Sequence, residues 1–187
     1  MDERIALLQQ KIEGLKVRKA PVLVALEGGS ASGKSTLGAE LAEQLGATLI
    51  HMDDFFLPLE LRTAERFAQP GGNVHWERVL AEVLQPLAAG KAPEYGVFDC
   101  SVMAVNRTVR EEIRDVVIVE GAYSLHPALR DFYDLKVFLS VDKETQEARI
   151  LARNGEKMLQ RFLREWIPLE QAYFTACRVE ECCDLVL

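Results

Sequence analysis

An α/β sandwich built on parallel strands is predicted by three observations. Apolar runs of strand length alternate with amphipathic stretches of helix length. Two of the later strand ends carry acids, at Asp53 and Glu120, where parallel sheets place their ligands. The first run, Pro21-Val22-Leu23-Val24-Ala25-Leu26, leads into Gly28-Gly29-Ser30-Ala31-Ser32-Gly33-Lys34-Ser35, the G-x-x-x-x-G-K-S pattern of a phosphate-binding loop.

Taken in order, Ile5, Leu8, Ile12 and Leu15 recur at helical spacing. They predict an amphipathic helix within an N-terminal segment, 1–19, that packs on the domain or on a neighbouring subunit of a homo-oligomer. After the loop, Leu37, Leu41 and Leu45 repeat every four residues, with Glu40, Glu43 and Gln44 between them and Gly46 as a stop. This helix points its N-terminus at phosphate. A short strand over 48–52 then ends in Asp53-Asp54-Phe55-Phe56. Pro58, Pro70, Gly71 and Gly72 make 57–75 an irregular excursion with one short helix, of the kind that often serves as a lid. Val79, Leu80, Val83 and Leu87 predict a helix over 76–88, closed by 90–93. Val116-Val117-Ile118-Val119-Glu120-Gly121 reads as a fully buried parallel strand, and 135–141 as another. Helices follow over 143–153 and 159–181, the second interrupted by Pro168, and 184–187 closes as a last strand.

The length of 187 residues suits a single domain, 1–187, with a three-layer core. With 49% hydrophobic and 27% charged residues the chain is not disordered. A net charge of −7 leaves no basic surface for nucleic acid or an anionic membrane, so an anionic ligand needs a local positive pocket. No apolar stretch approaches the roughly 20 residues of a membrane span, and the first four residues do not open like a secretory signal. The expected location is cytoplasmic. Cys100, Cys177, Cys182 and Cys183 lack zinc spacing and read as reduced thiols.

The loop implies a nucleoside triphosphate. Its small residues let backbone N–H groups converge on phosphate oxygens, Lys34 reaches the β/γ-phosphates and the Ser35 hydroxyl can hold Mg²⁺. The guanine-reading N-K-x-D and the D-x-x-G switch are absent, and Glu120 is followed by Gly121 where a mechanical ATPase usually has Asp-Glu. Two acids at separate strand ends, joined to a flexible acceptor region over 54–110, suit phosphoryl transfer from ATP to a small hydroxyl compound. Asp53 is the candidate base, with Asp54 left to cap the next segment, and Glu120 joins Ser35 as a candidate Mg²⁺ ligand. Arg149 and Arg153 share a helical face within a lid region, 149–164, that also carries Arg161 and Arg164. They can close on the transferring phosphate, or form a solvated face with Glu144, Glu147 and Glu156. The rival from another class is a regulatory module that binds nucleotide and hydrolyses it slowly.

Gly28 to Thr36, Met52-Asp53-Asp54-Phe55-Phe56 and Val117-Ile118-Val119-Glu120-Gly121 together resemble the uridine kinase family, which sits beside phosphoribulokinase, bacterial pantothenate kinase and nicotinamide riboside kinase. The resemblance runs from about Val22 to Leu187. It implies a P-loop kinase fold with a five-stranded parallel core and a short lid, an ATP donor, Asp53 as catalytic base, and Arg149 and Arg153 as lid residues, with Asn154 where the family has Asp. The implied acceptor is uridine or a related nucleoside. The acceptor side departs from the pattern. Phe98-Asp99-Cys100-Ser101-Val102-Met103 stands where a Tyr-Asp-Phe segment and a His read the base, and His75 in Asn73-Val74-His75-Trp76 stands near the family's ribose-binding Asp. His75, Trp76, Phe98, Asp99 and Arg107 are therefore candidate acceptor contacts. Nicotinamide riboside and pantothenate stay open as acceptors, as do core packing for Phe98 and Met103 and a structural role for His51 and His126.

Overall fold

The computed structural model of the protein describes residues 3–187; Met1 and Asp2, the start of the 1–19 segment, lie outside the described residues. Helix α1 (Glu3–Lys16) precedes strand β1 (Val22–Gly28), the phosphate loop, α2 (Lys34–Leu45) and β2 (Thr48–His51). The excursion holds the short helix α3 (Ala64–Phe67). Next comes α4 (Trp76–Arg78), which continues through a wide π-helical turn, Val79–Leu84, into α5 (Gln85–Ala88). A hairpin, β3 (Glu94–Asp99) and β4 (Ala104–Arg110), leads to β5 (Val116–Glu120) and β6 (Leu135–Leu139). The chain finishes with α6 (Lys143–Asn154), α7 (Glu156–Arg161), a second wide turn at Phe162–Trp166, α8 (Ile167–Ala176) and β7 (Leu185–Val186).

The main sheet has the order β2-β5-β1-β6-β7, and every neighbouring pair in it is parallel. β1 takes β5 on one side and β6 on the other, so the chain order reverses there and the crevice at its carboxyl end is where such sheets bind ligands. All seven residues of β1 and all five of β5 are buried, because layers cover both faces. Strand alternation divides them. Val22, Val24 and Leu26 join Ile118 and the α1 and α2 side chains, while Leu23 and Ala25 join Val117, Val119, Tyr173 and the residues of the α4–α5 segment.

Of the two places open to the N-terminal helix, it takes the domain's own sheet. Ile5, Leu8 and Ile12 are fully buried with Leu37 and Leu41, each stabilising the fold by about 1.5–3 kcal/mol. Pro168 neither ends nor sharply breaks its helix. It has no N–H to donate back, and the wide turn just before it absorbs the mismatch, as the turn before Pro86 does in the earlier helix. The final strand is shorter than 184–187, and the β3–β4 hairpin occupies part of the 54–110 region that had no strands assigned.

Candidate active site

Two glycines bring the acidic strand ends and the loop together. Gly28 leaves β1 with φ +147°, and a Cβ there would collide with the Leu139 carbonyl of β6. Gly121, at φ +138°, lets the end of β5 pass the end of β2, since a Cβ would stand 2.5 Å from that of Met52. Glu120 then meets the loop. Its Oε2 accepts the Ser35 hydroxyl at 3.1 Å, and its Oε1 lies 2.6 Å from His51 Nδ1, a bond that raises the His51 pKa. Lys34 is buried, with Nζ donating to the Gly29 carbonyl at 2.8 Å. From outside, helix α6 grips the loop: Gln146 donates to the Ser30 carbonyl at 2.8 Å and Arg149 to the Ala31 carbonyl at 3.0 Å.

A cavity of about 740 Å³ opens above this floor. Lys34, Ser35, Asp53 and Glu120 form its polar base. Phe56, Arg62, Phe67 and Asn73 come from the excursion, and Arg153, Arg161, Phe162, Arg164 and Trp166 from the lid side. A second cleft, of about 390 Å³, runs along Ser32–Thr36 and Glu40 to Arg149, with Arg4 of α1 on its edge. The two meet at Ala31, Lys34, Ser35 and Arg153, which border both. Asp53 is open to the cavity yet largely enclosed by protein. Burial and then Glu120 raise its pKa, while Lys34, His51 and Arg153 pull it down.

The residues expected at the site thus separate into two groups. The loop, Asp53, Glu120, Arg149 and Arg153 converge, whereas His75, Trp76, Phe98, Asp99 and Arg107 do not line the cavity. His75 stands at the start of α4 with Nδ1 buried and unpartnered, its pKa lowered by burial, and Trp76 stacks on His126 at 5.0 Å. Phe98 is core, edge-on to Phe56 at 6.3 Å. Asp99 ties the hairpin turn, accepting from Ser101 N–H at 2.7 Å and Asn106 Nδ2 at 2.6 Å. Arg107 lies on the exposed side of β4. Asp54 sits inside the 3₁₀ turn Met52–Phe55 rather than capping a helix. The excursion is tied down: Arg66 donates to the Gly72 and Val74 carbonyls, each at 2.9 Å, and forks onto Glu77.

Two buried acids were missed by sequence reasoning. Glu27 is fully buried and accepts from the backbone N–H of Gly28, Tyr123 and Leu125 and from the Tyr173 hydroxyl; burial pushes its carboxyl up to about 7 against the Leu125, Gly28 and Tyr173 bonds and the Lys34 charge. An acid continuing an apolar strand was the available signal. Glu170, on α8, binds Ser30, and nothing in its own segment marks it.

No protein-family model matches the chain. It is similar to the uridine kinase of Ligilactobacillus salivarius, 31% identical over 147 residues that span 73% of this chain and 68% of that one. It is likewise similar to the uridine kinase of Clostridium botulinum strain 657, 30% identical over 148 residues spanning 73% and 70%. Among solved structures, a possible uridine kinase from Bacillus stearothermophilus shares the fold, with a TM-score of 0.72 and 20% identity, covering 97% of this chain and 99% of that one. A provisionally named fructose transport system kinase from Silicibacter sp. TM1040 matches with a TM-score of 0.73 and 27% identity, covering 98% of each. No helix among the described residues is long and apolar enough to cross a membrane. With the phosphate loop, the five-stranded parallel sheet and relatives of at least 30% identity over more than two thirds of either chain, the protein belongs to the uridine kinase family and is a P-loop phosphotransferase acting on a hydroxyl.

Proposed function

We propose that the enzyme transfers the terminal phosphoryl group of ATP to a hydroxyl of a small molecule, uridine or a related nucleoside. The observation that carries this reading is the meeting of two clefts at Lys34, Ser35 and Arg153, with Asp53 on the wall of the larger one alone. Donor and acceptor then approach from opposite sides of the same phosphate, as in-line transfer requires.

The loop amides and Lys34 hold the phosphates, and Arg149 and Arg153 add positive charge along the donor cleft. Ser35 and Glu120 suit Mg²⁺, because a hydroxyl and a carboxylate 3.1 Å apart are hard oxygen donors. Mg²⁺ bound there neutralises phosphate charge. Asp53 accepts the proton of the attacking hydroxyl, and burial with the Glu120 charge raises its pKa above the ordinary aspartate value, which makes it a stronger base. Phe162 and Trp166, edge to face at 4.4 Å, and the arginines beside them shield the reacting atoms from water.

A second reading keeps the chemistry and changes the acceptor. It is favoured by the cavity wall, where Phe56, Arg62, Phe67 and Asn73 stand in place of the expected base-reading residues. Nicotinamide riboside, pantothenate and, from the name of the Silicibacter protein, fructose are its candidates. Incubating the protein with γ-labelled ATP, Mg²⁺ and a panel of uridine, cytidine and these three compounds separates the readings. The first predicts label in uridine or cytidine; label only in one of the others would replace it with the second.

A further inference from the structure

Glu170 is a buried acid that the transfer reaction does not require, yet it is bonded to the phosphate loop and borders the cavity that Lys34 shares with the donor cleft. It is 4% exposed, and its Oε2 accepts the Ser30 N–H at 2.9 Å while its Oε1 accepts the Ser30 hydroxyl at 2.5 Å. Gln146 takes the carbonyl of the same residue at 2.8 Å. All three polar groups of one phosphate-loop residue are therefore occupied by side chains of α6 and α8. Glu170 also lines the large cavity alongside Lys34 and Asp53. A carboxylate in that place opposes a polyphosphate held by Lys34, a like-charge contact that a partly enclosed site screens less than water does.

The groups facing Glu170 already divide its charge state. Burial and Asp53 favour the neutral acid; the Ser30 bonds and Lys34 favour the carboxylate, and the neighbouring Tyr123 phenol is held neutral partly by the Glu170 charge. Arg153, Arg161, Arg164 and Glu165 share the cavity wall without a bond to it. A triphosphate drawn onto Lys34 adds negative charge and takes up some of that lysine's influence, so both changes act toward the neutral acid.

We propose that Glu170 is a positioning residue linked to the donor: as a carboxylate it holds the Ser30 amide and hydroxyl, and when a nucleoside triphosphate binds it takes up one proton from solvent. Donor affinity is then coupled to proton uptake, and the acid sets how tightly the loop accepts a terminal phosphate. This rests on the reading of ATP as donor.

Calorimetric titration of the full-length protein with Mg²⁺-ATP and with Mg²⁺-ADP, in two buffers of different ionisation enthalpy, counts the protons. Glu170→Gln, which fixes the neutral form, should take up fewer protons than the wild type and bind ATP about tenfold more tightly, with a smaller gain for ADP. Ser30→Ala gives an independent reading. Without the hydroxyl that stabilises the carboxylate, Glu170 is partly protonated beforehand, and uptake falls. A purely scaffolding role predicts weaker ATP binding in Glu170→Gln with an unchanged proton count, and that result overturns the proposal. An unchanged count in Ser30→Ala also overturns it, whether or not the first variant folds. Failure of the wild type to bind ATP while the protein remains folded would remove the donor reading and the proposal together.

Discussion

Asp53 stands where burial and the Glu120 carboxylate raise its pKa and where Lys34, His51 and Arg153 pull it back. The balance is upward, and its sign has a kinetic consequence. A base must be ionised to accept a proton, so kcat/KM should fall as pH drops through a value above the ordinary 3.8 of an aspartate. The acid limb of a pH profile with the acceptor varied, read beside an NMR titration of the Asp53 carboxyl in the nucleotide-free protein, checks this; a nucleotide-free midpoint at the ordinary aspartate value would contradict the environment described for Asp53. Asp53 and Glu120 were legible as single residues because each ends an apolar run of its own. His75 and Asp99 lie off the cavity for the opposite reason. Each has a local polar or backbone task, at a helix start and in a hairpin turn, that spacing alone does not separate from ligand contact.

At the scale of elements, Glu27 is the joint between β1, the turn after β5 and α8. Four donors from those pieces converge on one carboxylate. Glutamine offers a single acceptor oxygen and turns an NH₂ toward donors, so Glu27→Gln should lower stability by about 2–3 kcal/mol. Urea unfolding would show this as a lower midpoint with an unchanged slope; an unshifted midpoint would mean that the joint bears no weight. The strands of the main sheet could be read because continuous apolar runs bury both faces. The hairpin could not. β4 is exposed at every position but Val109, and the register shifts between Val97 and Phe98, so no alternation survives to be recognised. The wide turns before Pro86 and Pro168 were equally hidden, since Pro signals a broken helix and says nothing of how the helix continues.

For the molecule as a whole, the sheet order does what neither acidic motif can do alone. Placing β5 between β2 and β1 sets Asp53, Glu120 and the loop around one point, with a cleft on one side of it and the larger cavity on the other. The phosphate loop is a contiguous motif, so its place between β1 and α2 was legible from the sequence. The wall of the larger cavity, proposed for the acceptor, is assembled from the excursion and from the turn before α8, segments far apart in the chain that only the tertiary fold brings together. A chain of net charge −7 nevertheless brings Lys34, Arg149 and Arg153 together along the cleft at the phosphate loop, the local positive surface that an anionic ligand needs. Transfer of label from γ-labelled ATP to the acceptor, compared between wild type and Asp53→Asn with ATP binding measured in parallel, tests this arrangement most directly. Asp53 as the base predicts a loss of about 10²–10⁴-fold in transfer with ATP binding retained; transfer at the wild-type rate in the variant would contradict it.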